Sequence, residues 1–204
     1  MLMIGLTGSI GMGKSTISKR FSALGVPVVD ADQVVHDLYV GAAVAPVDAA
    51  FPGVAVDGVI DRDRLSAALL QDQSRFKELE AIVHPLVHQA QRDLMHGHFA
   101  ADQAMAVLEN PLLFEMGGDA RVDYTVVVSA GAQVQRERVL ARDGMTAEKF
   151  ETILARQVPD EEKRRRADFV VDTACPVEES YAQVDQIVEA LKLRKGTVYQ
   201  RLWV

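Results

Sequence analysis

Cysteine is almost missing from this chain of 204 residues: Cys175 stands alone. A single thiol makes no intrachain disulfide and no cysteine zinc cage, so the chemistry must rest on other side chains. Long apolar runs are also lacking. None approaches the ~18 residues a membrane span needs, and the opening MLMIGLTG has neither the basic region nor the small-residue cleavage site of a signal peptide. Positive charge is in deficit, with 22 Lys and Arg against 29 Asp and Glu and a net charge of −7. That deficit excludes a chain-wide surface for nucleic acid or an anionic membrane and leaves only local basic clusters to meet a polyanion. Together the absences predict a cytoplasmic protein with no nucleic-acid and no membrane partner. There is no internal repeat and no low-complexity segment.

What the chain does have is enough apolar material, 49% of its residues, for one substantial core. Five short apolar runs carry the strand pattern: Met3–Thr7, Val26–Asp30, Met105–Glu109, Tyr124–Val128 and Asp168–Asp172. They are continuous rather than alternating, which predicts strands buried on both faces of a parallel sheet in an α/β fold. Between them, helical spacing recurs at Ile17, Phe21 and Leu24, at Val34, Val35, Leu38 and Tyr39, and at Val177, Tyr181, Val184, Ile187, Val188 and Leu191. A long amphipathic pattern from Phe76 to Leu94 contains Pro85, which predicts a kinked helix. Gly41 to Gly58 is rich in Gly, Pro and Ala and is expected to be connection. Two stretches exceed a minimal α/β layer, a helical one near Arg62–His98 and a charged one at Gln133–Arg166. The final KGTVYQRLWV fits no element of this scheme.

Between the first strand and the first helix lies GSIGMGKS, Gly8 to Ser15, which fits the phosphate-loop pattern G-x-x-x-x-G-K-[ST]. The pattern has a physical basis. Backbone N–H groups must converge on one concavity, and glycines reach the required conformations cheaply. Lys14 brings a positive charge to the β- and γ-phosphates, the Ser15 hydroxyl can ligate Mg²⁺, and the following helix adds its positive N-terminal dipole. Gly8, Gly11, Met12, Gly13, Lys14, Ser15 and Thr16 are therefore the candidate ATP-binding residues.

A phosphate donor needs an acceptor. No N-K-x-D stretch marks a GTPase switch, and the small size favours a kinase of a small molecule over a motor ATPase, although Glu109 closes its strand as a metal-holding carboxylate would. Asp30 and Asp32 lie at the end of the second strand, where ligands of open α/β sheets bind. Either could be a helix cap or a base toward a hydroxyl. Arg138 and Arg142, four apart, would share a helix face and could close over transferring phosphate. The basic run Lys163–Arg166 matches a solvated helix face.

Taken together, these motifs resemble the dephospho-CoA kinase family. GLTGSIGMGKST and VVDAD are followed in that family's order by DGVIDRDRL, LEAIVHP, NPLLFE, QRERVLARDGMT and a closing RQ…K…ADFVVD. The resemblance runs from about Met3 to Asp172. It implies a three-layer P-loop kinase fold with a five-stranded parallel sheet ordered 2-3-1-4-5. The expected parts are a core (about 1–32, 101–132 and 166–195), a helical acceptor-binding part (about 33–100) and a lid (about 133–165). The implied reaction is ATP- and Mg²⁺-dependent phosphorylation of the ribose 3′-hydroxyl of dephospho-CoA, with a monomer favoured over a small homo-oligomer. The resemblance makes Asp32 the base, has Lys14, Arg138 and Arg142 hold the moving phosphate, and lines the acceptor side with His84, Pro111, Leu112 and Leu113. Ser9, Met12, Asn110 and Thr173-Ala174 depart from the family's usual residues, and the last of these bears on base selectivity. The alternatives are a kinase of a nucleoside, nucleotide or shikimate-like acceptor, and a regulatory module that binds a nucleotide without acting on a small acceptor.

Overall fold

The first strand, β1 (Leu2–Thr7), is buried at every residue. The computed structural model describes the whole chain, Met1–Val204. Four further strands join β1 in one sheet: β2 (Val28–Asp30), β5 (Met105–Glu109), β6 (Tyr124–Ser129) and β7 (Phe169–Asp172), in the spatial order β2-β5-β1-β6-β7. Counted within the sheet alone, that order is 2-3-1-4-5. The recorded pairings are parallel, with Leu2 opposite Met105, Ile4 opposite Tyr124 and Val126 opposite Phe169. The expected strands are all present, within two residues at each end.

Alternate residues of β1 face opposite ways. Leu2, Ile4 and Leu6 join Val107, Val126, Val128 and Val171 in a core closed by helices α1 (Lys14–Ala23) and α9 (Val177–Leu191). α1 ends in a Schellman motif: Gly25, at φ +79°, donates to Ser22 O at 3.0 Å, and Val26 donates to Phe21 O at 3.0 Å. On the other face, Gly5 leaves room for Leu113 and Val122; a Cβ there would lie 2.7 Å from Leu113 Cδ2. After β6 come α6 (Gly131–Leu140), α7 (Ala147–Leu154) and α8 (Asp160–Arg166).

The chain divides into two compact units, Met1–Val29 with Met95–Val204, and Asp30–Leu94. The second unit holds α2 (Ala31–Tyr39), α3 (Val44–Ala50), a two-stranded hairpin of β3 (Ala55–Val56) and β4 (Val59–Ile60), α4 (Arg62–Gln71) and most of α5 (Phe76–Ala100). The segment expected to be mere connection, Gly41–Gly58, is thus largely ordered. Pro46 falls in the first turn of α3, where its missing N–H is not needed, and Ala45, Ala49 and Ala50 are strong helix formers. Asp57 and Gly58, at φ +51° and +78°, are a two-residue hairpin turn whose twist suits the strands it joins. Pro85 lies inside α5, and the helix continues on both sides of it. No helix is long and apolar enough to cross a membrane.

The C-terminal segment, unassigned from sequence, forms α10 (Val198–Leu202). Asp123 Oδ1 accepts from Thr197 N at 2.7 Å and Val198 N at 3.0 Å, while its Oδ2 accepts from Met3 N at 2.8 Å. Trp203 is buried, donates from Nε1 to Arg121 O at 2.9 Å, and lies under the Arg121 guanidinium. The tail therefore packs at the amino-terminal ends of β1 and β6.

Candidate active site

The phosphate loop begins where β1 ends. Gly8 packs against the backbone of β6; a Cβ there would lie 2.7 Å from Val128 O. Gly11 and Gly13 hold φ of +80° and +91°, the left-handed region, and Gly13 is the N-cap of α1. Lys14 and Ser15 are thus the first two residues of α1, at its positive end. The Ser15 side chain is exposed, and Thr16 is half-buried. Met12 is buried, and its Sδ accepts from Ala130 N.

Glu109, the last residue of β5, meets the loop from the neighbouring strand. Its Oε1 pairs with Lys14 Nζ, and its Oε2 accepts from Ser18 Oγ of α1. The Glu109 side chain is only 5% exposed. Lys14 is therefore drawn toward a carboxylate at the strand ends.

Side chains from α6 to β7 grip the loop from outside. Gln135 Nε2 donates to Ile10 O at 2.8 Å, and Ile10 N donates to Gln157 Oε1 at 3.2 Å. Thr173 Oγ1 donates to Met12 O at 2.6 Å and accepts from Arg138 Nη1 at 3.2 Å; Arg138 Nη2 also donates to Thr173 O at 2.6 Å. A relay of hydrogen bonds thus joins Arg138 to the phosphate loop. Arg142 lies elsewhere than expected. α6 stops at Leu140 with Ala141 as C-cap, so Arg142 stands on the following turn and does not share a helix face with Arg138. The chain bends away there toward Gly144, at φ +71°.

The segment after Glu109 carries Pro111, Leu112 and Leu113. Asn110 Oδ1 accepts from Leu112 N at 2.8 Å and sets the turn. Pro111 and Leu112 are half-buried, whereas Leu113 is fully buried against Gly5 and anchors the segment. Glu115, whose role was open, accepts from Val158 N at 2.7 Å and pairs with Lys163 Nζ at 2.9 Å. Lys163 departs from the solvated-face expectation: it is completely buried, while Arg164, Arg165 and Arg166 are exposed.

Asp30, Asp32 and His84 belong to the second unit. Asp30 is the N-cap of α2, its Oδ1 accepting from Asp32 N at 2.8 Å and Gln33 N at 3.3 Å. Asp32 is the second helical residue, and its carboxylate is not the cap. His84 is exposed on α5, stacked with His88 at 6.5 Å between ring centroids. The sequence offered Glu109 only as a metal-holding carboxylate and gave no site role to Gln135 or Lys163. An acidic residue ending an apolar strand was a usable signal for the first. A glutamine in a polar helix, and one lysine in a basic run, offered none.

A model of the dephospho-CoA kinase family matches residues 2–179. The chain is 55% identical to a dephospho-CoA kinase of Mesorhizobium japonicum over 97% of its own length and 100% of the relative's. Among solved structures it is similar to TT1252 from Thermus thermophilus, with TM-score 0.80 and 34% identity over 93% of this chain and 96% of that one. It also shares its fold with a dephospho-CoA kinase from Campylobacter jejuni, with TM-score 0.65 and 20% identity over 93% and 96% of the two chains.

Proposed function

The chain belongs to the dephospho-CoA kinase family, and from that premise we propose that it transfers the γ-phosphate of ATP to the ribose 3′-hydroxyl of dephospho-CoA, giving CoA and ADP. The observation that carries the reading is the phosphate loop at the end of β1, with Gly13 capping α1 and Lys14 and Ser15 opening it. Converging N–H groups, a helix dipole and one ammonium suit a triphosphate.

Each residue then has a task. Lys14 exchanges its contact with Glu109 for the β- and γ-phosphates as ATP fills the loop. Arg138, steadied through Thr173, and Arg142 supply positive charge to the equatorial oxygens of the moving group. Asp32 accepts the proton of the 3′-hydroxyl as the O–P bond forms and the bond to ADP breaks. His84, Pro111 and Leu112 line the acceptor side. Segment 133–165 acts as a lid that excludes water from the transfer.

A magnesium ion fits this donor set. Ser15 offers an exposed hydroxyl, and no group of three or more His, Cys, Asp or Glu side chains forms a protein cage. Mg²⁺ in such sites keeps several waters and binds through substrate phosphates with only one or two protein groups, and here the Ser15 hydroxyl would be one of them. When bound it neutralises charge on the β- and γ-phosphates. The enzyme works as a cytoplasmic monomer in this reading.

The test is ATP consumption with and without each of a panel of acceptors, namely dephospho-CoA, nucleosides, nucleoside monophosphates and shikimate, with product masses determined. Dephospho-CoA should gain one phosphate and outpace the others. Good turnover of nucleoside monophosphates with none of dephospho-CoA would refute the substrate, and ATP binding without acceptor-dependent turnover would refute the enzyme.

A further inference from the structure

Lys163 is the most deeply buried charged side chain of the protein, at 0% exposure. It lies in α8, whose other basic residues face solvent. Its ammonium donates to Pro111 O at 3.0 Å and pairs with Glu115 Oε1 at 2.9 Å. Pro111 O accepts in addition from Thr7 Oγ1 at 3.3 Å, and Thr7 is the last residue before the phosphate loop. Glu115 Oε1 also accepts from Val158 N at 2.7 Å, and two residues on, Asp160 Oδ2 accepts from Ser129 Oγ at 2.7 Å. The Lys163 ammonium therefore holds the segment Pro111–Glu115 directly, and that segment in turn touches the root of the phosphate loop through Pro111 O and the return arm of segment 133–165 through Glu115.

Such a knot is a poor device for stability alone. Desolvating an ammonium and a carboxylate costs about as much as their attraction returns, and apolar residues of the same volume do as well or better. Here the carboxylate is not even saturated: Glu115 Oε2 and Asp160 Oδ1 are buried without a hydrogen-bond partner. What the knot does provide is geometry. An ammonium with three directed donors fixes a carbonyl and a carboxylate at once, where a methyl-tipped side chain would let them slide.

We propose that Lys163 is a positioning residue for phosphoryl transfer, locking the acceptor-side segment Pro111–Glu115 to both the phosphate-loop root and the return arm of segment 133–165. Alignment of the acceptor and closure over ATP are then a single event. The inference rests on the acceptor reading of Pro111 and Leu112. An error of about 1 Å in placing a reactant can cost on the order of a hundredfold in rate. A loosened knot should also let water compete with the acceptor for the phosphoryl group.

The experiment uses the double variant Glu115→Gln/Lys163→Met, which removes both charges together and leaves neither buried alone. Steady-state kinetics are measured for each substrate, together with the ratio of ADP formed to acceptor phosphorylated and the thermal midpoint. We expect a midpoint close to wild type, an unchanged KM for ATP, a kcat lowered by about tenfold or more, and more than one ADP per acceptor phosphorylated. A shifted midpoint with wild-type kcat and a wild-type ADP ratio would overturn the proposal, since that is the signature of a purely structural pair. Should the double variant fail to fold, Thr7→Val, which breaks only the contact to Pro111 O and leaves no charge buried alone, is read the same way: a raised ADP ratio supports the proposal, an unchanged one refutes it. The ratio is taken with whichever acceptor the wild type uses, so failure of the dephospho-CoA reading leaves this inference still decided.

Discussion

Exchanging two neighbouring carboxylates for amides separates a cap from a base. Asp30 Oδ1 accepts from Asp32 N and Gln33 N at the start of α2. Losing such a cap costs about 1 kcal/mol when the side chain is removed and only part of that when an amide replaces the acid. For a chain of 204 residues, 1 kcal/mol corresponds to a fall in Tm of about 2–4 °C. Asp30→Ala should therefore lower Tm by that amount and leave kcat within a few-fold of wild type. Asp32→Asn should do the reverse. Its backbone N–H still donates to Asp30, so the helix start is preserved, while the proton acceptor is gone. A general base contributes roughly a hundredfold or more, or about 2.7 kcal/mol of transition-state stabilisation. The assay is coupled ADP release with dephospho-CoA, run beside thermal unfolding and ATP titration of each variant. ATP affinity should hold in both, because the phosphate loop is untouched. A larger loss of turnover in Asp30→Asn than in Asp32→Asn would show that the wrong carboxylate was chosen. Wild-type turnover in Asp32→Asn would remove the base from the mechanism and leave catalysis to positioning and charge.

Lys14→Ala should cut turnover on the order of a thousandfold or more. It should also cost stability, about 3–5 kcal/mol, because Glu109, 5% exposed, loses its cation. Lys14→Ala/Glu109→Gln should regain most of the lost Tm and none of the activity; a single variant as stable as wild type would disprove the account of the pair. Trp203→Ala should lower Tm on the order of 10 °C, since a fully buried indole costs about 3–5 kcal/mol to remove, with KM for ATP unchanged. A tail that merely rests on the surface would give no shift.

The five sheet strands were legible because their apolar runs are unbroken and close at turn-forming residues, as at Asn110 and Asp172. The phosphate loop was legible because glycine spacing and a lysine have few other uses before a helix. The hairpin at Asp57-Gly58 carried a readable turn dipeptide, but its strands are two residues each, too short for periodicity. The Arg138–Arg142 pairing misled because spacing alone does not say where a helix stops. Lys163 was illegible for a related reason: its neighbours in the run are solvated, and only the packing of α8 against the segment after β5 turns that one residue inward. The tail needed Asp123, some seventy residues upstream, and no local pattern announces so distant a cap.

The placement of β1 has a consequence for how the protein is made. Residues 2–7 leave the ribosome about a hundred residues ahead of their partners, yet they form the middle strand of the sheet and pair with Met105–Glu109 and Tyr124–Val127. At about 5–20 residues per second, β1 waits on the order of 5–20 s for its partners. Until then LMIGLT is an uncharged, β-prone hexapeptide with both edges open, the kind of segment that pairs between chains. The glycine loop is attached to its end, so a hexapeptide that paired with another chain would carry that loop away from its place beside β6.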